Sequence, residues 1–147
     1  MKNFLLLFLI SFTNFAFAEE NYIVNKIENS CAPWDGHAIY LGFKNSTNEN
    51  ETINISIWRW KDWHLTNSFD FDSKNSYYGS MNICFGNGSR AHCQLQNGTL
   101  KLNQYFKSFK PGDEVHGEVI ITSPSSKKFN FSYIVKPQDP KNPMICG

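Results

Sequence analysis

Apolar residues that return at every second position are the strongest constraint on this chain. His37 to Lys44 reads HAIYLGFK, with Ile39, Leu41 and Phe43 on one face. Thr52 to Trp60 repeats the pattern through Ile53, Ile55 and Ile57. Leu65, Phe69 and Phe71 share a face in the next run. Val115, Val119 and Ile121 do so in EVHGEVIIT, and Phe129, Phe131, Tyr133 and Val135 in KFNFSYIVK. Successive side chains of a strand point to opposite faces, so period two marks strands buried on one side, whereas a helix needs a period near 3.6. Helical spacing is hard to find after residue 18. About eight short strands with one apolar face each predict an all-β fold: an antiparallel β-sandwich, immunoglobulin-like in general architecture, with barrel closure as the alternative.

Turn chemistry separates these runs at DSKNS, GNGS, QNGT, KPGD and SPSS. Asn-Gly between alternating runs is a strong hairpin signal, because a type I′ turn needs positive φ at both central residues. Asn97-Gly98 fits it best, and would pair Leu95 with Leu100 and Cys93 with Leu102 on one face.

The opening residues, MKNFLLLFLISFTNFAFAEE, have the plan of a secretory signal peptide. Lys2 is the basic end, Phe4 to Phe12 the apolar run, and Ala16-Phe17-Ala18 the small-x-small cleavage site, which predicts a cut after Ala18. The apolar run is short for a bilayer, which takes roughly 20 residues, so no membrane insertion is expected after cleavage. Residues 19–147 then form a single domain that is secreted or periplasmic. The formal charge of +1 includes Lys2, so that domain is neutral and offers no electrostatic footprint for nucleic acid or an anionic membrane.

Four cysteines, Cys31, Cys84, Cys93 and Cys146, follow the leader, and an even count in an exported chain reads as two disulfides. No pair has the CxxC spacing of a metal site. Cys84 and Cys93 flank a glycine-containing loop, which predicts a bond across a hairpin and leaves Cys31 to clasp Cys146 near the other end of the chain. Cys93 alternates with Leu95 but Cys84 with Asn82, so this pairing calls for a bulge to bring the faces into register. Six Asn-x-Ser/Thr sequons begin at Asn45, Asn50, Asn54, Asn87, Asn97 and Asn130, and an asparagine-rich chain produces such matches by chance.

The stretch ISIWRWKDWHL concentrates the aromatic side chains that could carry recognition. With the isoleucines turned to the core, Trp58 and Trp60 fall on the opposite face, about 7 Å apart on a pleated strand. Trp63 follows after a turn, and Arg59 could lie over an indole. An aromatic surface of this kind suits a sugar ring or a protein partner. The competing reading covers this face and makes the tryptophans half-core. The tryptophan-rich face resembles carbohydrate-binding β-sandwich modules in fold and composition alone.

Chemistry-bearing residues are sparse. Asp35 and His37, in CAPWDGHAIYL, could act as an acid–base pair or, with His64, as metal ligands, although Asp-Gly before a strand is ordinary turn geometry. The four histidines show neither HxH nor HxxxH spacing. GxSxG is absent, and Gly86-Asn87-Gly88 lies between strands rather than before a helix, so it is no phosphate cradle. No cofactor is implied and no catalytic residue stands out. The expected function is recognition of a protein or carbohydrate partner through Trp58, Arg59, Trp60 and Trp63. A small exported enzyme or metal-binding protein using Asp35, His37 and His64 is the alternative.

Overall fold

A computed structural model of the chain describes residues 21–31, 37–58, 65–75, 79–106 and 109–137. They form nine strands: β1 (Tyr22–Cys31), β2 (His37–Asn45), β3 (Glu51–Trp58), β4 (Ser68–Phe71), β5 (Gly79–Phe85), β6 (His92–Leu95), β7 (Asn97–Leu102), β8 (Glu114–Ser123) and β9 (Lys127–Ile134). Two antiparallel sheets, ordered β1-β2-β3-β5-β6 and β4-β7-β8-β9, make the expected β-sandwich.

The alternation places the core. Ile53, Ile55 and Ile57 are fully buried, while Thr52, Asn54, Ser56 and Trp58 between them are half-buried on the outer face. Leu41 and Phe43 of β2, Phe69 and Phe71 of β4, and Val115, Val119 and Ile121 of β8 turn inward as expected. Phe43 packs edge-on against Phe129 and Phe131 of β9, with ring centroids 5.2 and 4.9 Å apart, which joins the two layers. Tyr133 and Val135, read with these phenylalanines, are only half-buried where β9 runs to the rim. Leu65 is 59% exposed. It lies ahead of β4, and the Thr66 hydroxyl, bonded to the backbone of Ser68, turns the chain in between, so the parity of β4 does not extend to it.

At one rim the sheets are joined by polar groups. The buried Glu51 carboxylate accepts the hydroxyl hydrogen of Tyr22 and meets Lys127 Nζ at 3.0 Å. These residues come from β3, β1 and β9, and Tyr22 stacks on Phe129 with centroids 4.6 Å apart.

The Asn97-Gly98 hairpin does not form. β6 belongs to the five-stranded sheet and β7 to the four-stranded one, so Leu95 pairs with Asn82 and Leu100 with Phe69 and Val119. Nor do Cys93 and Leu102 share a face, since Leu102 is buried and Cys93 exposed. Gln96 is the crossing point. It is 1% exposed, its amide donates to the Met81 carbonyl at 2.8 Å, and its Oε1 accepts from the Ser125 amide at 3.0 Å. Gly98 serves close approach rather than positive φ: a Cβ there would lie 2.3 Å from the Ile120 carbonyl oxygen. Asn97 is held by the Ser73 amide and the Ser123 hydroxyl.

The Cys84–Cys93 disulfide is present, at directly opposed positions of β5 and β6. No bulge is needed there, because Leu95, opposite Asn82, lies on the outer face with both cysteines and is 43% exposed. The loop between them contains a 3-10 turn at Gly88–Arg90. The bond places the chain in an oxidising environment. No helix among the described residues is long and apolar enough to cross a membrane. The expected leader and its cut after Ala18 fall outside the described residues, and so does the expected Cys31–Cys146 clasp, since Cys146 and the side chain of Cys31 are not described.

Candidate functional site

The candidate site is the outer face of the five-stranded sheet, assembled by register. Trp58 stands opposite Ala38; Tyr40 lies between Glu28 and Ser56; Gly42 lies between Lys26 and Asn54; Asn54 stands opposite Asn82, which pairs with Leu95. Trp58 is half-buried, between the two readings of the sequence. Ala38 opposite it is small and 1% exposed, so the indole is the side chain this corner of the face presents.

Tyr40 leans along its own strand: a Cβ on Gly42 would come within 3.1 Å of the Tyr40 ring, so the missing side chain makes room for the phenol. From there the Tyr40 hydroxyl donates to Asn54 Oδ1 at 2.6 Å, and Asn54 Nδ2 donates to Cys84 Sγ at 3.3 Å. A line of contacts thus runs from β2 through β3 to β5 and, by the disulfide, to β6. Burial raises the Tyr40 pKa above the ordinary phenol value, Lys26 opposes the rise, and Glu28 adds to it. Lys26 and Glu28 form an exposed ion pair at 2.7 Å on the same face.

This surface offers a half-buried indole, a phenol held by Asn54, and amide, hydroxyl and charged groups. Such a surface can stack on and hydrogen-bond to a partner. Of the contact and metal-ligand candidates read from sequence, Trp58 alone has a described side chain. Asp35, Arg59, Trp60, Trp63 and His64 lie outside the described residues, and so does the side chain of His37, whose backbone begins β2. His92 and His116 are exposed on different sheets, with His116 3.7 Å from Glu114. Among the described residues no three His, Cys, Asp or Glu side chains gather to hold a metal ion.

The sequence does not mark Tyr40 or the Lys26–Glu28 pair, and it marks Asn54 as a sequon without its partners Tyr40 and Cys84. The signal available was the outward half of HAIYLGFK, where small Ala38 and Gly42 flank one large aromatic residue. No family model matches the chain, and no curated protein or solved structure matches it.

Proposed function

We propose that this is an exported recognition protein that contacts a protein or glycan partner through the outer face of its five-stranded sheet. Trp58 and Tyr40 supply the aromatic contacts, extended by Arg59, Trp60 and Trp63. The observation that carries the reading is the position of Trp58: outward-facing at the end of β3, half-buried, and on the same face as a phenol already fixed by Asn54. Fixing aromatic groups before binding lowers the entropy lost on contact. The single disulfide among the described residues and the leader-like opening support export.

The test is binding of labelled protein to a glycan microarray and to cell surfaces, with wild type beside Trp58→Ala. The variant is first shown to be folded by its urea transition. The reading expects a loss of at least about tenfold, the effect of truncating an aromatic hot spot. A folded variant that binds like wild type rejects it, as does a wild-type protein that binds neither array nor cells.

A further inference from the structure

Each sheet has two edge strands, and three of the four are protected. β4 and β6 are only four residues long. β1 is longer but carries a register shift between Val24 and Lys26 and the charged pair Lys26–Glu28. Short length, bulges and edge charge all discourage strand addition. β9 lacks these devices along its central stretch. Its pairing with β8 runs without a shift from Glu114 opposite Ile134 to Ile121 opposite Lys127. Phe129 to Val135 contains neither proline nor a charged residue.

The backbone groups left open on β9 follow from Val135. Its amide donates to the Asp113 carbonyl and its carbonyl accepts from the Gly112 amide, both at 2.9 Å. Amides alternate in direction along an antiparallel strand, so Phe129, Phe131 and Tyr133 also turn toward β8. Asn130, Ser132 and Ile134 turn theirs to the other side, where no strand pairs among the described residues. Beside that edge opens a cleft of about 550 Å³, bounded across from β9 by Tyr22, Ile23 and Val24 of β1. Ile23 and Ile134 are 58% and 53% exposed at its mouth. Lys136 is the one charged residue among the described residues that line the cleft.

We propose that the β9 edge is a strand-acceptor site, taking an extended, acidic peptide segment of a partner protein as a fifth strand of this sheet. The segment pairs with the main chain of Asn130, Ser132 and Ile134, packs an apolar side chain against Ile23 and Val24, and sets a carboxylate at Lys136. Main-chain pairing supplies affinity in this mode and side-chain pockets supply selection. Charge decides between a foreign strand and a second copy. In the β9 segment KKFNFSYIVK, Lys127 and Lys128 are held by Glu51 and Glu118, so Lys136 is the charge the edge presents to a partner; a second copy of this segment has no acid to answer it, whereas an acidic strand does. The pairing edge belongs to the four-stranded sheet and the facing wall to β1 at the edge of the other, and neither uses Trp58 or Tyr40, so the site does not depend on the aromatic face.

The test uses the full chain and a phage-displayed library of random decapeptides. Selection is expected to yield peptides of alternating apolar pattern with Asp or Glu near one end. Their affinity should fall at least tenfold in Ser132→Pro, stay within twofold in Ser132→Ala, and fall severalfold in Lys136→Ala. Proline at residue 132 removes an outward amide and leaves the β8 ladder intact. Hydrogen exchange on wild type gives a second measurement that needs no variant: bound peptide should slow the amides of residues 130, 132 and 134 and leave those of 129, 131 and 133 unchanged. A library that yields no peptide sensitive to Ser132→Pro, or slowing spread equally over both sets of amides, overturns the proposal. A wild-type dimer in sedimentation that Ser132→Pro dissolves replaces the foreign strand with a second copy.

Discussion

The rim cluster of Tyr22, Glu51 and Lys127 offers the sharpest energetic test of how the two sheets are held. The Glu51 and Lys127 side chains are 9% and 14% exposed, with the ammonium 3.0 Å from the carboxylate. Lys127→Met leaves that carboxylate with the Tyr22 hydroxyl but no cation. Stranding one partner of a buried pair costs 3 to 5 kcal/mol, and the remaining hydroxyl and rim water place this case near the lower end, at about 3 kcal/mol. Glu51→Gln keeps an acceptor for Tyr22, and the ammonium, 5.9 Å from the Tyr22 ring centroid, can extend to water, so about 2 kcal/mol is expected. The double variant removes both charges and should cost about 1 kcal/mol, because a buried pair contributes little over neutral groups of the same shape. The cycle therefore carries a coupling of roughly 3 to 4 kcal/mol, at or just beyond the top of the usual range for contacting residues. Urea unfolding of the four proteins measures it, and about 0.5 M salt should barely change it, since buried pairs are poorly screened. Additivity of the two single variants to within about 0.5 kcal/mol would refute a desolvated bridge between the sheets.

Other perturbations have equally definite outcomes. Ile55→Ala should lower stability by about 2 to 5 kcal/mol, and half-buried Trp58→Ala by about half the 3 to 5 kcal/mol of a core tryptophan, both read from urea midpoints. Gly98→Ala should destabilise the fold by more than the roughly 1 kcal/mol of an ordinary turn glycine, because its Cβ meets the Ile120 carbonyl; a smaller loss would restore the hairpin reading. The raised pKa of Tyr40 means that the native state holds its proton longer than the unfolded chain. That contribution is complete below the ordinary phenol value of about 10 and fades as pH rises through the raised one, so Tyr40→Phe should flatten the fall in stability on the alkaline side. Replacing both Cys84 and Cys93 by serine should cost roughly 2.5 kcal/mol by the chain-entropy relation for so short a loop, as measured by thermal or urea melts.

Inward-facing positions were legible because burial has one requirement, and hydrophobicity every second residue states it. Ile39, Ile53, Val119 and Phe129 could be assigned from their neighbours in sequence alone. The Cys84–Cys93 bond was legible because a short loop limits its geometry. Where the chain leaves one sheet for the other, sequence is a poorer guide. Gln96-Asn97-Gly98 has the composition of a tight turn, yet each residue serves another purpose: Gln96 satisfies backbone groups in a buried corner, Asn97 ties the loop after β4 to the end of β8, and Gly98 admits a carbonyl oxygen. All of these partners are distant in sequence. The same limit explains Leu95, which looks like a core residue until its strand is paired with β5.

Outward-facing positions pose a harder problem, because their identity is decided by what lies across the ladder. Tyr40, Asn54 and Cys84 occupy three different strands, and no spacing in the chain connects them. Only the joint register of β2, β3 and β5 lets the phenol reach the amide and the amide reach the sulfur. Once that register exists, the disulfide has a second consequence beyond loop closure. It fixes Cys84, whose sulfur accepts from Asn54, and Asn54 in turn holds the Tyr40 ring above Gly42. Oxidation of the cysteines therefore helps order the aromatic surface as well as the fold. The disulfide and the phenol are linked through one side-chain amide, so Asn54→Ala should loosen the Tyr40 ring while leaving the disulfide formed.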